Sequence, residues 1–185
     1  MYLIISASPN KDGLTAACSN AALQGITRAG GEAEIVDISE MKLEPCRICN
    51  GGWGTCYPES RCFLDDPLGK IQDDIRKADG LILVSPVYFC QPSERMKYFF
   101  DRFRRCEAFN KNGSAAKDKP VISVAAAGGS GAGPETCLDE MRLWCWCVYA
   151  HPETRIGITQ KNRAEALVEI EEAAYALCTR LRSGQ

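Results

Sequence analysis

Short apolar runs alternate along the chain with longer segments in which apolar residues recur every three or four positions. The short runs have the length of buried strands, and the longer segments have the period of helices that bury one face. Strands are predicted at residues 2–6, 32–37, 80–85, 121–126 and 154–158. Helices are predicted at residues 15–28, 69–77, 93–105 and 134–147, followed by a closing helix whose apolar stripe runs from Leu167 to Leu181.

The alternation of five strands with helices predicts an α/β fold, a doubly wound five-stranded parallel sheet with helices on both faces. We expect one domain over residues 1–185, with a long irregular, cysteine-rich insertion at residues 39–66 after the second strand. Ligands of such sheets bind beyond the carboxyl ends of the strands. The loops at residues 8–15, 86–92 and 127–133 leave those ends, so we expect them to meet at one crevice.

Composition narrows the classes of function. The chain has 22 Lys and Arg against 24 Asp and Glu, a formal charge of −2. It therefore lacks the excess of positive charge that would indicate binding to nucleic acid or to an anionic membrane. No apolar stretch approaches the ~18 residues of a membrane-spanning helix, and the first apolar run, residues 3–5, lacks the basic flank of a secretory signal. We expect a cytoplasmic protein with no nucleic-acid or membrane partner.

The loop after the first strand carries the groups that bind a phosphate. Ser8 and Thr15 supply hydroxyls, Asn10 supplies an amide, and Gly13 allows close approach to the backbone at the start of a helix. An ordinary strand-to-helix turn with a capping hydroxyl has a similar composition. The chain has no P-loop motif and no G-x-G-x-x-G after the first strand, which counts against a nucleoside triphosphate or dinucleotide site of those kinds.

An ordered set of motifs then gives a resemblance to a known family. The set comprises Ser-Pro-x-x-x-Gly-x-Thr at residues 8–15, Ser-Pro-Val-Tyr at 85–88, Lys97 with Asp101-Arg102, and Ala-Gly-Gly at 127–129. Together these resemble the NAD(P)H-dependent FMN reductase group of the flavodoxin-like superfamily, over about residues 1–135. Members usually have a basic residue after Ser-Pro and Asn before the Thr, where this chain has Asn10 and Leu14.

The resemblance implies a flavodoxin-like fold, FMN as the redox cofactor and NAD(P)H as a possible electron donor. No catalytic triad is required, because the flavin ring itself takes the electrons. The residues implied at the phosphate are Ser8, Asn10, Gly13, Leu14 and Thr15. The residues implied at the flavin ring are Pro86, Val87, Tyr88 and Phe89 along one edge and Ala127, Gly128 and Gly129 along the other.

Cysteine is the compositional outlier, with 11 residues in a chain large enough to fold without disulfides. Four of them, Cys46, Cys49, Cys56 and Cys62, form the pattern C-x2-C-x6-C-x5-C among several glycines. Four thiolates within a short, flexible stretch can surround one tetrahedral ion or an iron-sulfur cube. We therefore predict these four cysteines as metal ligands.

The cysteine pattern resembles that of the iron-sulfur flavoproteins, in which a compact cysteine motif precedes an Asp-Asp pair, here Asp65-Asp66. Gly52 stands where their third cysteine is expected, and Cys56 follows four residues later. Three alternatives stay open: a [4Fe-4S] cluster, a zinc ion, and no metal at all, since many related reductases keep only some of these cysteines.

These observations predict an FMN-dependent oxidoreductase or electron-transfer flavoprotein, with an iron-sulfur cluster that exchanges electrons with the flavin. One alternative is an NAD(P)H-dependent quinone, nitro-compound or FMN reductase without a cluster. A second is a zinc-stabilised binding module without redox activity. The resemblance further implies a small-molecule or ferredoxin-like electron partner and a homodimer or homotetramer.

Overall fold

The computed structural model describes residues 1–184. Over this range the strands are β1 (Tyr2–Ser6), β2 (Ala33–Asp37), β3 (Gly80–Tyr88), β4 (Gln91–Pro92), β5 (Pro120–Ala127) and β6 (His151–Thr159). The α-helices are α1 (Leu14–Arg28), α2 (Leu68–Lys77), α3 (Glu94–Glu107), α4 (Pro134–Cys147) and α5 (Arg163–Ser183). None of the helices in the described range is long and apolar enough to cross a membrane.

The strands form a parallel sheet in the order β2-β1-β3-β5-β6, and β4 pairs with β3 alone. This order is that of the flavodoxin-like doubly wound sheet, which confirms the predicted fold class. The five predicted strands form the parallel part of the sheet, and within residues 1–184 the sheet has a sixth strand. The sixth, β4, is two residues long and antiparallel to β3.

The extra strand arises because β3 does not end at Ser85. It continues to Tyr88 and turns back, pairing Val87 with Pro92. The turn residues Phe89 and Cys90 have φ values of 49° and 65°. Two consecutive positive φ values are those of a type I′ hairpin turn, which usually carries Asn or Gly. The sequence has neither residue here, so the pattern predicted a loop over residues 86–92.

The two faces of the sheet are buried by different helices. Leu3 and Ile5 of β1 belong to one apolar cluster with residues of α2, α3 and α4. Tyr2 and Ile4 belong to a second cluster with residues of α1 and α5. This alternation is the period of two expected of a strand buried on both sides. It holds the carboxyl ends of the central strands in fixed relative positions.

Residues 39–66, called here the cysteine segment, join β2 to α2 and contain one short 3-10 turn, Cys49–Gly52, as their only regular helix or strand. Arginines of α3 donate to backbone carbonyls of this segment. Arg95 reaches Leu43 O at 3.4 Å, and Arg102 reaches Glu44 O at 3.0 Å. These bonds hold an irregular segment against α3. That the segment is an insertion relative to the family stays a prediction.

Candidate flavin cleft and cysteine cavity

The carboxyl ends of β1, β3 and β5 open on one cleft of about 680 Å³. The cleft brings together the three loops that the sequence predicted to converge. All twelve residues predicted for cofactor binding line it: Ser8, Asn10, Gly13, Leu14, Thr15, Pro86, Val87, Tyr88, Phe89, Ala127, Gly128 and Gly129. That these residues bind FMN stays a prediction, but their convergence is a property of the fold.

One end of the cleft is the start of α1. The residue before the helix, Gly13, has no side chain to cap it, and the first turn carries no acidic residue. The N–H groups of a first helical turn have no partner within the helix, and the helix dipole makes this end favourable for an anion. The nearby Ser8 and Thr15 are 8% and 4% exposed. Their hydroxyls add hydrogen-bonding groups at the same end.

The structure gives a reason for glycine at position 13 that the sequence did not indicate. Its φ of −84° is open to any residue. A Cβ on Gly13, however, would lie 3.0 Å from Nδ2 of Asn10. The Asn10 carboxamide is held in place because its Oδ1 accepts from the N–H of Asp12 at 3.1 Å. Gly13 therefore makes room for the Asn10 side chain at the helix start.

The lysine of this loop does not face the cleft. Lys11 forms an exposed ion pair with Glu40, and neither residue belongs to the cleft lining. Hydrogen bonding to Glu40 and its charge raise the pKa of Lys11. The lining of the cleft contains no Asp, Glu, Lys, Arg or His. An anion bound here would therefore depend on backbone N–H groups, hydroxyls and the helix dipole.

The hairpin of β3 and β4 forms the second wall. Tyr88 is 47% exposed and Phe89 is fully exposed at its tip. The base of the hairpin is fixed, since the N–H of Ser93 donates to Oγ of Ser85 at 3.0 Å and Oγ of Ser93 donates to Ala7 O at 3.2 Å. These bonds tie the hairpin to the end of β1. The wall is therefore an apolar surface on a rigid base.

The third wall is the glycine-rich loop after β5. A Cβ built on Gly128 would meet no protein atom within 4 Å, so this position is open on the cleft side. Gly133 has a φ of +93°, and a Cβ there would lie 2.6 Å from Cα of Cys90. Only glycine combines this backbone conformation with so close an approach. The loop is thereby packed directly against the hairpin tip.

Five further residues line the cleft that were not among the predicted cofactor contacts: Cys90, Ala126, Ser130, Ala132 and Gln160. Gln160 directly follows β6, another parallel strand of the sheet. The rule that placed three loops at the carboxyl edge applies equally to this strand. The strand was predicted to end at residue 158 and ends at Thr159, so its carboxyl end pointed to Gln160 as well.

A second site lies between the cysteine segment and α3. Its small cavity is lined by the four predicted ligand cysteines and by groups from α3. The cysteines are Cys46, Cys49, Cys56 and Cys62, and the groups from α3 are Arg102, Arg105 and Cys106. Cys106 is not part of the cysteine pattern that the sequence singled out, and it is 1% exposed. Its presence beside the other thiols depends on tertiary contacts that no local pattern signals.

The thiols converge without forming a complete ligand set. Within residues 1–184, no three His, Cys, Asp or Glu side chains are arranged to hold a metal ion directly. Burial raises the pKa of the Cys106 thiol to about 12, and the charges of Cys62 and Cys56 add to this effect. The thiols thus line one cavity, and direct coordination would require the glycine-containing turn to bring them closer.

Two buried polar atoms lie beside this cavity without hydrogen-bond partners among the described residues. They are Nε of Arg102 and Oγ1 of Thr55. Buried polar groups in native proteins are nearly always paired, so such atoms point to a missing partner. A cationic N–H and a set of thiols are together suited to an anionic thiolate centre. By its chemistry the cavity therefore fits a metal held by sulfur.

Comparison with known proteins agrees with this architecture. Residues 2–155 match the family described as NADPH-dependent FMN reductase. An iron-sulfur flavoprotein of Methanocaldococcus jannaschii is 32% identical over 137 residues, covering 74% of this chain and 67% of that protein. An iron-sulfur flavoprotein of Methanosarcina thermophila is 29% identical over 181 residues, covering 94% and 91%.

A solved structure gives an independent comparison of the fold. It is that of an NAD(P)H:quinone oxidoreductase from Methanothermobacter marburgensis, with a TM-score of 0.74 and 16% sequence identity. The match covers 95% of this chain and 96% of the other. At this identity the likeness concerns the fold alone.

Proposed function

The chain belongs to the family of NADPH-dependent FMN reductases, and on this premise we propose that it binds FMN in the cleft and an iron-sulfur cluster at the cysteine cavity. Membership makes it a flavin-dependent oxidoreductase. The observation that carries the FMN proposal is the convergence of three loops on one uncharged cleft at the carboxyl edge of the sheet. The cluster proposal goes further and rests on the cysteine cavity.

The start of α1 would hold the phosphate of FMN. Ser8 and Thr15 would donate through their hydroxyls, and the uncapped first turn after Gly13 would donate through backbone N–H groups. Both residues are nearly buried, and a hydrogen bond to a charged group is stronger where water is excluded. The neutral Asn10 replaces the basic residue that related reductases usually have. We therefore assign more of the phosphate binding to the backbone in this chain.

The isoalloxazine ring would lie between the hairpin and the glycine-rich loop. Pro86, Val87 and Tyr88 would contact one edge, and Ala127 and Gly128 the other. The open space beside Gly128 allows a flat ring to approach the backbone closely. Tyr88 is 47% exposed, so this wall of the cleft faces solvent in part. These residues bind and orient the ring, and none is assigned an acid or base role.

When bound, FMN supplies two-electron hydride chemistry at its ring, and a thiolate-held cluster supplies one-electron transfer. The likeness to iron-sulfur flavoproteins of two archaea supports the cluster. The thiols of Cys46, Cys49, Cys56 and Cys62, which line one cavity, support it independently. NAD(P)H, a small molecule or a ferredoxin-like protein would be the electron partner, and a homodimer or homotetramer the assembly.

Anaerobic mixing with NADPH in a stopped-flow spectrometer tests the proposal on protein loaded with FMN, iron and sulfide. We expect the flavin absorbance to bleach and the cluster absorbance to fall with it. Flavin bleaching in a protein that takes up no iron and sulfide would instead indicate a quinone, nitro-compound or FMN reductase without a cluster. Failure to take up FMN would contradict the proposed flavin site and favour a zinc-stabilised binding module.

A further inference from the structure

A buried ion pair joins α3 to the end of the cysteine segment. The side chains of Arg102 and Asp66 are 1% and 6% exposed. Nη2 of Arg102 donates to Oδ1 of Asp66 at 3.0 Å, and Nη1 donates to the other carboxylate oxygen and to Glu44 O. Asp66 also accepts from the N–H groups of Glu44 and Leu68, each at 3.2 Å. The guanidinium is therefore held in one orientation.

The remaining nitrogen of this guanidinium has no such partner. Nε of Arg102 is buried and makes no hydrogen bond within residues 1–184, and Arg102 lines the cysteine cavity. An arginine guanidinium stays protonated in proteins, and the ion pair with Asp66 stabilises its charge. The guanidinium is thus charged and close to a predicted ligand sulfur.

A charged side chain with an unpaired buried N–H destabilises the folded state. Leaving one buried donor unsatisfied carries a free-energy cost, which is larger for a charged group. A leucine or methionine at the same position of α3 would avoid that cost. An anionic group in the cavity would remove it, because the group would accept from Nε–H and offset the positive charge. Thiolates bound to a metal are such a group.

We propose that Arg102 compensates the negative charge of the metal-thiolate centre and donates through Nε–H to one of its sulfur atoms. Asp66 holds the guanidinium in place and partly offsets its positive charge. This inference rests on the proposed cluster and adds the residues that set its reduction potential. Arg102 is a positioning and charge-compensating residue here, not a ligand.

The charge has a defined consequence for electron transfer. A cluster held by thiolates gains negative charge on reduction, and a fixed positive charge nearby favours the reduced form. Arg102 therefore raises the reduction potential of the cluster, and Asp66 lowers it. Arg105 also lines the cavity, but it donates to Gly52 O and packs over the Trp53 ring at 4.9 Å. One of its nitrogens and the face of its guanidinium are thus engaged away from the thiols, so we assign it a smaller part.

Arg102→Gln and Asp66→Asn separate charge from structure, because both break the same ion pair while removing opposite charges. The full chain, loaded with FMN, iron and sulfide under anaerobic conditions, is titrated with dithionite and followed by electron paramagnetic resonance. We expect the midpoint potential of the cluster to become more negative in Arg102→Gln and more positive in Asp66→Asn. Arg102→Lys, which keeps the charge, should lie nearer to wild type than Arg102→Gln.

Arg104→Gln is the matched control, since it removes one positive charge from α3 at a residue that does not line the cavity. It should leave the potential close to that of wild type. Shifts of the same sign in Arg102→Gln and Asp66→Asn, or no shift in either, would overturn the inference and leave the cluster proposal standing. If Arg102→Gln does not assemble a cluster, the direction of the shift in midpoint potential in Asp66→Asn decides. An unchanged or more negative potential in that variant would overturn the inference.

Wild-type protein that takes up FMN but no iron and sulfide would contradict the cluster proposal, and the inference with it. That result differs from a loaded wild type with unresponsive variants, so the two failures are distinguishable.

Discussion

The N–H of Ser93 donates to Oγ of Ser85 at 3.0 Å, and this bond closes the base of the hairpin that forms one wall of the cleft. Both residues are almost fully buried, at 1% and 0% exposure. Ser93 is also the N-cap of α3, where its Oγ accepts from the N–H of Met96. One pair of serines thus couples the start of a helix to the wall of the cleft.

Ser85→Ala should destabilise the protein and weaken FMN binding together. The substitution leaves the N–H of Ser93 buried without a partner, which costs about 1–3 kcal/mol. Urea unfolding without FMN measures the stability, and fluorescence titration measures the affinity. Ser183→Ala is the control, since its hydroxyl donates to Arg180 O at an exposed site. Equal results for the two variants would contradict a structural role of the Ser85 hydroxyl.

Gly128→Ala should leave the folded protein intact and weaken its binding of FMN. A Cβ here meets no protein atom within 4 Å, so the apo protein should unfold at nearly the same urea concentration as wild type. The methyl group would occupy space assigned to the flavin ring, and we expect affinity to fall by about tenfold or more, ~1.4 kcal/mol. Gly69→Ala, in α2 and outside the cleft, is the control. Unchanged affinity would place the ring elsewhere.

Thr15→Val should reduce the preference for FMN over riboflavin, which lacks the phosphate. A hydrogen bond to a charged group contributes about 1.5–3 kcal/mol, so FMN affinity should fall roughly 10- to 100-fold while riboflavin affinity changes little. Titration with both flavins gives the ratio. Thr27→Val makes the same change on the exposed end of α1 and should alter neither affinity. Equal losses for both flavins would contradict a phosphate role for Thr15.

The stability of the metal-free protein should depend on Asp66 in acid. Burial by itself would raise the pKa of Asp66, but the hydrogen bond from Arg102 and those from backbone N–H groups outweigh it and lower the pKa. A lowered folded-state pKa contributes stability that is complete above the unfolded value of about 3.9 and is lost as the pH falls through the folded value.

Urea unfolding of wild type and Asp66→Asn at a series of pH values tests this dependence. The wild type should exceed the variant in stability at pH 7, and the difference should narrow below about pH 4. A difference that stays constant through the acid range would show that the carboxylate charge of Asp66 does not stabilise the fold.

The strand positions and the three converging loops could be predicted from sequence because apolar runs and turn residues are local signals. The type I′ turn at Phe89 and Cys90 could not, because neither residue normally adopts a positive φ. The surrounding contacts impose it, since Cys90 packs against Gly133. Tertiary context there overrides local preference.

The cysteine cavity also combines residues that the sequence predicts with residues that only the fold brings to the site. The spacing of Cys46, Cys49, Cys56 and Cys62 predicts a metal site by itself. Arg102 and Cys106 join the cavity only because α3 packs against the cysteine segment. Arg102 belongs to the motifs that gave the resemblance to the flavin family, whereas in the fold it lies at the cysteines. A residue far along the chain is recognised as part of a site only once the fold is known.

Flavin, iron, sulfide and zinc analysis of one sample, purified anaerobically after exposure to FMN, iron and sulfide, tests the central claim most directly. The account predicts about one FMN per chain together with about four iron and four sulfide, as a [4Fe-4S] centre requires. Protein without bound FMN would contradict the flavin site, and FMN accompanied by zinc or by no metal would contradict the cluster.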